Sequence, residues 1–241
     1  MNHARSKGPA LAFRRAVVVC LLMALVAVPR LAMADDVQDA KQLVEKARLT
    51  FEAFVADKEM GPSLRSLLKR ATGVLIYPQI LRAAFIFGAA GGSGAFLVRD
   101  AKAGAWGGPA FYTIGEASFG LQAGGDASEV ILVALTDRGV ASLLSTSTKL
   151  GGNVGIALGP IGGGAEAATA NLSADIISYS RSKGIYAGGS LDGAVVATRG
   201  SLNAAYYNRE ITPTEILIQR AVTNPQAASL IQAVSEEVGR K

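Results

Sequence analysis

Residues Ile177–Gly193 read ISYSRSKGIYAGGSLDG, and we take this stretch as the centre around which the rest of the chain is organised. It predicts two strands joined at a turn over Arg181–Gly184. Tyr179 and Tyr186 lie on either side of that turn. Glycines within the strands indicate places where another backbone approaches closely, since a side chain would obstruct the approach.

Further short strands are predicted from Gly73 onward, separated by Gly-rich or Pro-containing turns. Amphipathic or capped helices are predicted near the two ends of the chain and once between strands. This order favours an α+β fold in which an antiparallel, sandwich or barrel-like sheet is the core, with helices at the N- and C-terminal ends. The predicted strands are Gly73–Tyr77, Ala83–Phe87, Ala95–Arg99, Ala110–Ile114, Phe119–Ala123, Val130–Leu135, Asn153–Leu158, Ala174–Ser180, Ile185–Leu191 and Gly193–Thr198. The helix between them is Asp137–Ser145, with Thr136 or Asp137 as its cap. The C-terminal helices are predicted to start at Thr212–Glu215, continuing to Val222, and at Asn224–Pro225, continuing to about Val238.

The first 34 residues have the pattern of a secretory signal peptide. Met1–Arg15 is basic, Ala16–Val28 is an apolar run of 13 residues, and small residues precede Asp35. The run is short for a bilayer span. We therefore predict cleavage after Ala34, a periplasmic location, and a single domain over residues 35–241, and an uncleaved membrane anchor is the less favoured alternative. Cleavage would remove the only histidine and the only cysteine, His3 and Cys20.

The net charge of +5 comes from that leader, which holds five of the 24 basic residues and none of the 19 acidic ones. The remaining chain is neutral, with 19 residues of each sign. A nucleic-acid-binding protein depends on neutralising phosphates, so this balance argues against that class.

Two amphipathic helices are predicted next. Asp35–Asp57 has apolar residues at three-and-four spacing, and a second helix begins at Pro62. Packing of both against the sheet is the ordinary interpretation. Attachment of one helix to a membrane surface is the alternative.

Enzymatic and cofactor-binding motifs are incomplete. The run Gly88–Gly94 lacks the following helix and the lysine of a phosphate-binding loop, and Gly159–Gly164 fails in the same way, so hairpin turns are predicted at both. Ser93 falls short of a nucleophile elbow, and Ser180–Lys183 matches S-x-x-K without a partner motif. Without His or Cys after residue 34, the usual zinc ligands are missing, and no metal or cofactor is expected.

The sequence leaves open whether two of the acids form a carboxylate pair for acid–base chemistry, because only the distance between the two carboxyl groups in the folded protein decides this. Most acids of the sheet region stand next to glycines in predicted turns, which is typical of solvated carboxylates. An enzyme is therefore the minority hypothesis. The acids are Asp100, Glu116, Asp126, Glu129, Glu166, Asp175 and Asp192.

An ordered series of motifs resembles the SYLF domain family, and the chain is identified as a bacterial secreted member. The resemblance covers residues 35–217. It departs from the family at Trp106–Pro109, which reads WGGP where the family often has Trp-Ser-x-Pro. The motifs are Gly73–Pro78, Gly91–Gly94, Trp106–Tyr112, Gly120–Gly124, Val130–Val133, Leu150–Asn153, Ala157–Pro160, Ile177–Gly193 and Asn203–Tyr207.

The resemblance implies lipid binding through an N-terminal amphipathic helix and basic residues. The yeast members of the family also bind actin, and we do not expect actin binding of an exported protein. Residues 35–72 contain seven basic and seven acidic residues, so only local clusters can attract anionic lipid. The predicted headgroup contacts are Arg65, Lys69 and Arg70, joined by Arg82, then Lys41, Lys46 and Arg48, and separately Arg181 and Lys183.

The sequence thus predicts a non-catalytic envelope module that binds anionic phospholipid. The alternative is an envelope structural or protein-interaction module without lipid binding. An enzyme acting on envelope lipid is the third hypothesis.

Overall fold

Two helices precede the sheet and pack on it. The computed structural model describes residues 35–84, 87–119, 124–159, 174–182 and 191–239. Helix α1 covers residues 35–55, and α2 covers Gly61–Leu68. The periodic apolar residues of both helices are buried, as predicted, in one cluster with side chains of the sheet. Packing against the core is therefore the correct interpretation of their apolar stripes.

In the part of the chain that the structure describes, the strands are β1 Gly73–Ala84, β2 Phe87–Arg99, β3 Trp106–Phe119, β4 Gly124–Ala134, β5 Ser147–Lys149, β6 Ile156–Leu158, β7 Ile176–Ser182 and β8 Val195–Thr198. These eight strands form one sheet in the order β5-β8-β3-β2-β1-β4-β7-β6. All pairs are antiparallel except β6 with β7. The edge strands β5 and β6 follow each other in the chain, and Leu150 forms a bridge with Val154 between them, so the sheet curls into a half-barrel.

The remaining helices follow β4 or close the described chain. Thr136 caps the helix after β4 by accepting a hydrogen bond from the Gly139 amide, as the sequence indicated. Thr212 and Glu215 form a reciprocal capping box at the start of the helix Pro213–Leu217. The helices are α3 Asp137–Leu144, α4 Gly200–Tyr207, α5 Pro213–Leu217 and α6 Ala228–Gly239, the last preceded by a 3₁₀ turn at Pro225–Ala227.

The central strands are buried on both faces. Successive residues of β1 alternate, so that Val74 and Ile76 join the cluster with α1, α2 and α6, whereas Leu75 and Tyr77 point to the opposite face. That second cluster includes Tyr112, whose ring meets the Phe96 ring edge-on with 5.7 Å between the ring centroids. Burial raises the pKa of the Tyr77 and Tyr112 hydroxyls well above the ordinary value. The α+β prediction, with a barrel-like sheet and terminal helices, is confirmed.

The predicted hairpin turn at Gly88–Gly94 is wrong, because this run lies inside β2. A Cβ on Gly94 would stand 2.6 Å from the Tyr77 ring, and one on Gly92 would collide with the Gln79 carbonyl. The glycines therefore mark close contact between β1 and β2 rather than a change of chain direction.

Several other boundaries also differ from the prediction. Helix α4 was not predicted, and α5 ends at Leu217 rather than continuing to Val222. The predicted leader over residues 1–34, the strand Ile185–Leu191 except its last residue, most of Phe119–Ala123 and most of the Gly159–Gly164 turn lie outside the described residues.

Candidate functional site

The predicted cations of α1 divide into exposed and paired groups. Lys41 and Lys46 are both exposed. Arg48 lies between two carboxylates of its own helix, at 2.5 Å from Glu45 and 2.6 Å from Glu52. Its positive charge is therefore already balanced within the helix.

Among the cations of α2, Arg65 has a structural contact. Its guanidinium donates to the carbonyl of Val55, the last residue of α1. Lys69 and Arg70 follow at the exposed C-terminal end of α2. Cations are favoured there by the helix dipole, and both side chains can reach an external anion.

Arg82 and Arg181 form ion pairs within the sheet. Arg82 lies 3.0 Å from Glu116, and Arg181 lies 2.5 Å from the buried Glu129 while its guanidinium stands over the Phe54 ring. Arg82 is nine residues along β1 from Gly73, roughly 25–30 Å at strand spacing, so it does not join Arg70. Lys183 lies outside the described residues.

A cleft of about 860 Å³ opens beside Arg70, at the end of the sheet where β1 begins and β2 ends. We call it the sheet-end cleft. Four separated segments line it: the α2–β1 connection, the end of β2 with the following turn, α3, and the end of α5. Its wall residues are Arg70–Thr72, Val98–Gly104, Asp137, Val140, Ala141, Leu144, Thr214, Leu217 and Ile218.

Three cations line this cleft. Arg70 and Lys102 are exposed, and Arg99 is held in place because its guanidinium donates to the carbonyls of Gly104 (3.1 Å) and Lys69 (3.3 Å). Asp100 also lines the cleft. Backbone amides of Ala103 and Lys102 donate to its carboxylate and hold its pKa below the ordinary value.

Arg220 also offsets the negative charge of the Asp100 carboxylate. Its Nε lies 3.7 Å from the Asp100 carboxylate, and its guanidinium donates to the Ala105 carbonyl. The guanidinium packs over Gly107, where a Cβ would be only 3.1 Å from its central carbon. Gly107, which stands where the Trp-Ser-x-Pro pattern has a serine, thus leaves room for the Arg220 guanidinium.

Two smaller grooves, of about 300 and 270 Å³, lie between α1 and the middle of β1. Lys46 lines both, next to Leu49 and Leu81, which are 52% and 56% exposed. The carboxylates of Asp39 and Glu129 also line these grooves, so their charge is mixed.

The sequence interpretation missed Arg99, Lys102 and Ile218 as site residues. Ile218 is 49% exposed at the cleft, directly after the buried Leu217. The one signal in the sequence was the pair of basic residues, Arg99 and Lys102, at the end of a buried strand. The sequence gives no indication that this pair lies next to Arg70 or Ile218 in the folded protein.

The two candidate nucleophiles are Ser93 and Ser180. Ser93 accepts a hydrogen bond from Arg199 at 2.7 Å, and an arginine cannot take its proton. Ser180 lies in β7, and Lys183, the lysine of its S-x-x-K match, lies outside the described residues. Among the acids considered for a carboxylate pair, Glu116 and Glu129 are ion-paired residues of β3 and β4.

Metal clusters and membrane-spanning helices are both absent from the described residues. No group of three or more His, Cys, Asp or Glu is arranged to hold a metal ion there. None of the helices in this part of the chain combines the length and apolar character required to cross a membrane.

Comparison with known proteins matches residues 115–237 to the family described as "Ysc84: Las17-binding protein actin regulator". Protein YSC84 of Saccharomyces cerevisiae is 32% identical over 210 residues, which are 85% of this chain and 43% of the yeast protein. LAS seventeen-binding protein 3 of the same species is 32% identical over 211 residues, 86% of this chain and 45% of the relative. SH3 domain-containing YSC84-like protein 1 of Homo sapiens is 30% identical over 170 residues, 69% of this chain and 48% of the relative.

The matches therefore span less than half the length of these relatives, whose names refer to binding of Las17 and to SH3 domains and not to an enzymatic reaction. The matched family region takes in β3 from Gly115, β4 and most of α6, and the longer alignments extend over most of the remaining chain. The chain belongs to the Ysc84 family, the family of the SYLF domain.

Proposed function

We propose that the protein is a non-catalytic lipid-binding module of the cell envelope that contacts anionic phospholipid headgroups. The observation that carries the proposal is the position of Lys69 and Arg70, two exposed cations at the end of α2, beside the sheet-end cleft with its exposed Ile218. Cations with adjoining apolar surface are the combination that an anionic bilayer surface attracts.

The amphipathic stripes of α1 and α2 are not available for this contact, since the sheet already buries them. Contact with a membrane must therefore use the side chains that remain exposed at the end of α2 and around the sheet-end cleft. Each basic residue near an anionic surface contributes about 1 kcal/mol, so Lys69 and Arg70, with a third cation such as Lys102, support weak and salt-sensitive binding.

A periplasmic location forms part of the proposal and rests on the signal-peptide pattern of residues 1–34. In that compartment the protein would not meet cytoplasmic actin. N-terminal sequencing of the exported chain should begin at Asp35, and an intact Met1 would reject the location.

Co-sedimentation of residues 35–241 with vesicles tests the function. We expect binding to phosphatidylglycerol-containing vesicles, little binding to phosphatidylcholine alone, and loss of binding at high salt. Lys69→Gln with Arg70→Gln should reduce binding about thirtyfold, because the two cations together contribute about 2 kcal/mol. Arg65 is left unchanged, because its bond to Val55 holds α1 and α2 together.

The matched control is Lys58→Gln with Lys149→Gln, which removes the same charge from two exposed positions outside the cleft wall. Equal losses in both pairs would show that net charge alone matters and would reject the site. If the wild type binds no vesicle at low salt, the lipid proposal fails.

In that case a protein-interaction module of the envelope becomes the leading function. The observation that favours it is that the family description and the yeast relative's name refer to binding of a protein, Las17.

A further inference from the structure

The sheet-end cleft has an apolar wall formed by three different elements. Val98 at the end of β2, Val140 of α3 and Leu217 of α5 are almost fully buried, and each contributes part of its surface to the cleft. Leu144 continues the wall along α3, and the half-exposed Ile218 stands at its rim. Ligand sites have volumes of about 300–1,000 Å³, and the cleft falls within that range.

The charged groups of the cleft are concentrated on one side, where α2 ends and the β2–β3 turn begins. Arg70, Arg99 and Lys102 provide three positive charges there. Asp100 is compensated by backbone amides and by Arg220, and Asp137 stands in the first turn of α3, where the helix dipole offsets its charge. The balance on this side favours an anionic group.

Arg99 is prepared for such a group. Two backbone carbonyls accept hydrogen bonds from its guanidinium, and this contact fixes its position without neutralising its charge. A guanidinium has five N–H donors, so donors remain for a carboxylate or phosphate oxygen. Because the side chain is already ordered, binding costs less conformational entropy than it would for a free arginine.

We propose that the sheet-end cleft binds one molecule of a single-chain anionic lipid, with its hydrocarbon chain along Val140, Leu144 and Leu217 and its anionic group at Arg70, Arg99 and Lys102. This inference rests on the proposed function and deepens it, since it names the ligand class and the position of both of its parts. A surface that only adheres to headgroups would need the cations but not the apolar cavity. A cavity for a neutral hydrophobe would need the wall but not the cations.

Titration of residues 35–241 with a fluorescent fatty acid in the absence of vesicles tests the inference, and competition identifies the ligand chemistry. We expect saturable binding of one equivalent. Myristate should displace the probe, whereas acetate, which lacks the chain, should not. Tetradecanol, which has the chain but no anionic group, should compete about tenfold more weakly than myristate.

Two variants locate the site. Ala141→Trp fills the cleft from the exposed surface of α3 and should weaken binding at least about tenfold by excluding the chain. Ala228→Trp places the same side chain on an exposed helix position outside the cleft wall and should bind like the wild type. Circular dichroism of both variants verifies that each is folded.

Arg70→Gln with Lys102→Gln should weaken myristate about tenfold while leaving tetradecanol unchanged. Equal affinity of Ala141→Trp and wild type for the probe would overturn the inference, as would equal competition by the acid and the alcohol.

Vesicle binding separates this inference from the proposed function. Ala141→Trp should still sediment with anionic vesicles if headgroup contact at Lys69 is intact. Vesicle binding without probe binding overturns the inference and leaves the function standing. Probe binding that Ala141→Trp abolishes, without vesicle binding, rejects membrane attachment and leaves the cleft as a lipid site.

Discussion

Asp57 fixes the corner between α1 and α2. Its carboxylate accepts hydrogen bonds from the backbone amides of Glu59 and Met60, both at 2.9 Å. These bonds hold the pKa of the Asp57 carboxyl below its ordinary value. At the same corner, Gly61 lies against the Val55 carbonyl, which also accepts from Arg65. A cation predicted to meet lipid thus belongs to the joint between two helices.

We predict a pH-dependent effect of Asp57→Ala. A carboxyl whose pKa is lowered by folding stabilises the protein above the ordinary pKa of about 3.9, and that stabilisation is lost as the pH falls through the folded-state pKa. The variant should lose about 1 kcal/mol at pH 7 and much less near pH 2.5. Urea unfolding at both pH values measures the difference.

Glu59→Ala is the control, because it removes an exposed carboxylate from the same segment and leaves the backbone amide in place. Its effect should stay within about 0.5 kcal/mol. A loss for Asp57→Ala that is the same at pH 2.5 as at pH 7 would contradict the hydrogen-bonding role of the charged form.

At the scale of the element, β2 contains glycines that differ from those of β3. Gly94 lies directly against the Tyr77 ring and the Ile76 carbonyl of β1, whereas a Cβ on Gly115 in β3 would have no other atom within 4 Å. The first glycine is a packing requirement, and the second is not.

We therefore expect opposite outcomes for two identical substitutions. Gly94→Ala should destabilise the fold by about 1–3 kcal/mol or more, because the new methyl group overlaps an aromatic ring inside a close-packed sheet. Gly115→Ala should be neutral or stabilise by up to about 1 kcal/mol, because glycine weakens strand interiors. Thermal unfolding of both variants measures this, and equal destabilisation would refute the packing argument.

Element types were more predictable from the sequence than element lengths. The apolar periodicity of α1 and the caps at Thr136 and Thr212 predicted those helices correctly. The long strands β1 and β2 were predicted as short pieces, because glycine signals both turns and close strand contact. Helix α4 was missed for two reasons. Arg199, which precedes the helix, provides no side-chain cap, and the residues of the helix are buried on several sides, so they show no amphipathic pattern.

The sheet-end cleft could not be predicted from local patterns. Its cations and apolar wall come from segments near residues 70, 100, 140 and 217, and the sheet topology alone brings them together. Likewise, the end of α5 at Leu217 depends on tertiary contact. Arg220 adopts a left-handed backbone conformation (φ 53°) while its side chain reaches Asp100 and Ala105.

At the scale of the whole molecule, helices from both ends of the described chain share one core. Leu64 of α2 and Leu230 and Val234 of α6 are fully buried in the same cluster with Val74 and Ile76 of β1. The N-terminal helices therefore depend on the C-terminal helix for cover.

We predict that Leu230→Ala lowers the free energy of unfolding by about 2–5 kcal/mol, the usual effect of a cavity in a packed core. It should also speed hydrogen exchange of the α2 amides, which lie far from residue 230 along the chain. Ser229→Ala, an exposed neighbour, should change neither quantity. Faster exchange confined to α6 would show that the two ends unfold independently.

The buried tyrosines have a consequence for how the whole protein responds to acid and base. Burial moves the Tyr77 and Tyr112 hydroxyls further from neutral pH, and the only histidine and cysteine lie in residues 1–34. Apart from its α-amino group, the chain from Asp35 onward thus has no side-chain type that ordinarily titrates between about pH 6 and 9. Its proton-uptake curve should be nearly flat there, and its ion-exchange retention should barely vary with buffer. Across that interval the side chains from Asp35 onward keep a constant charge, so a pH-dependence of attachment to a surface that exceeds the effect of one α-amino group must originate in the surface.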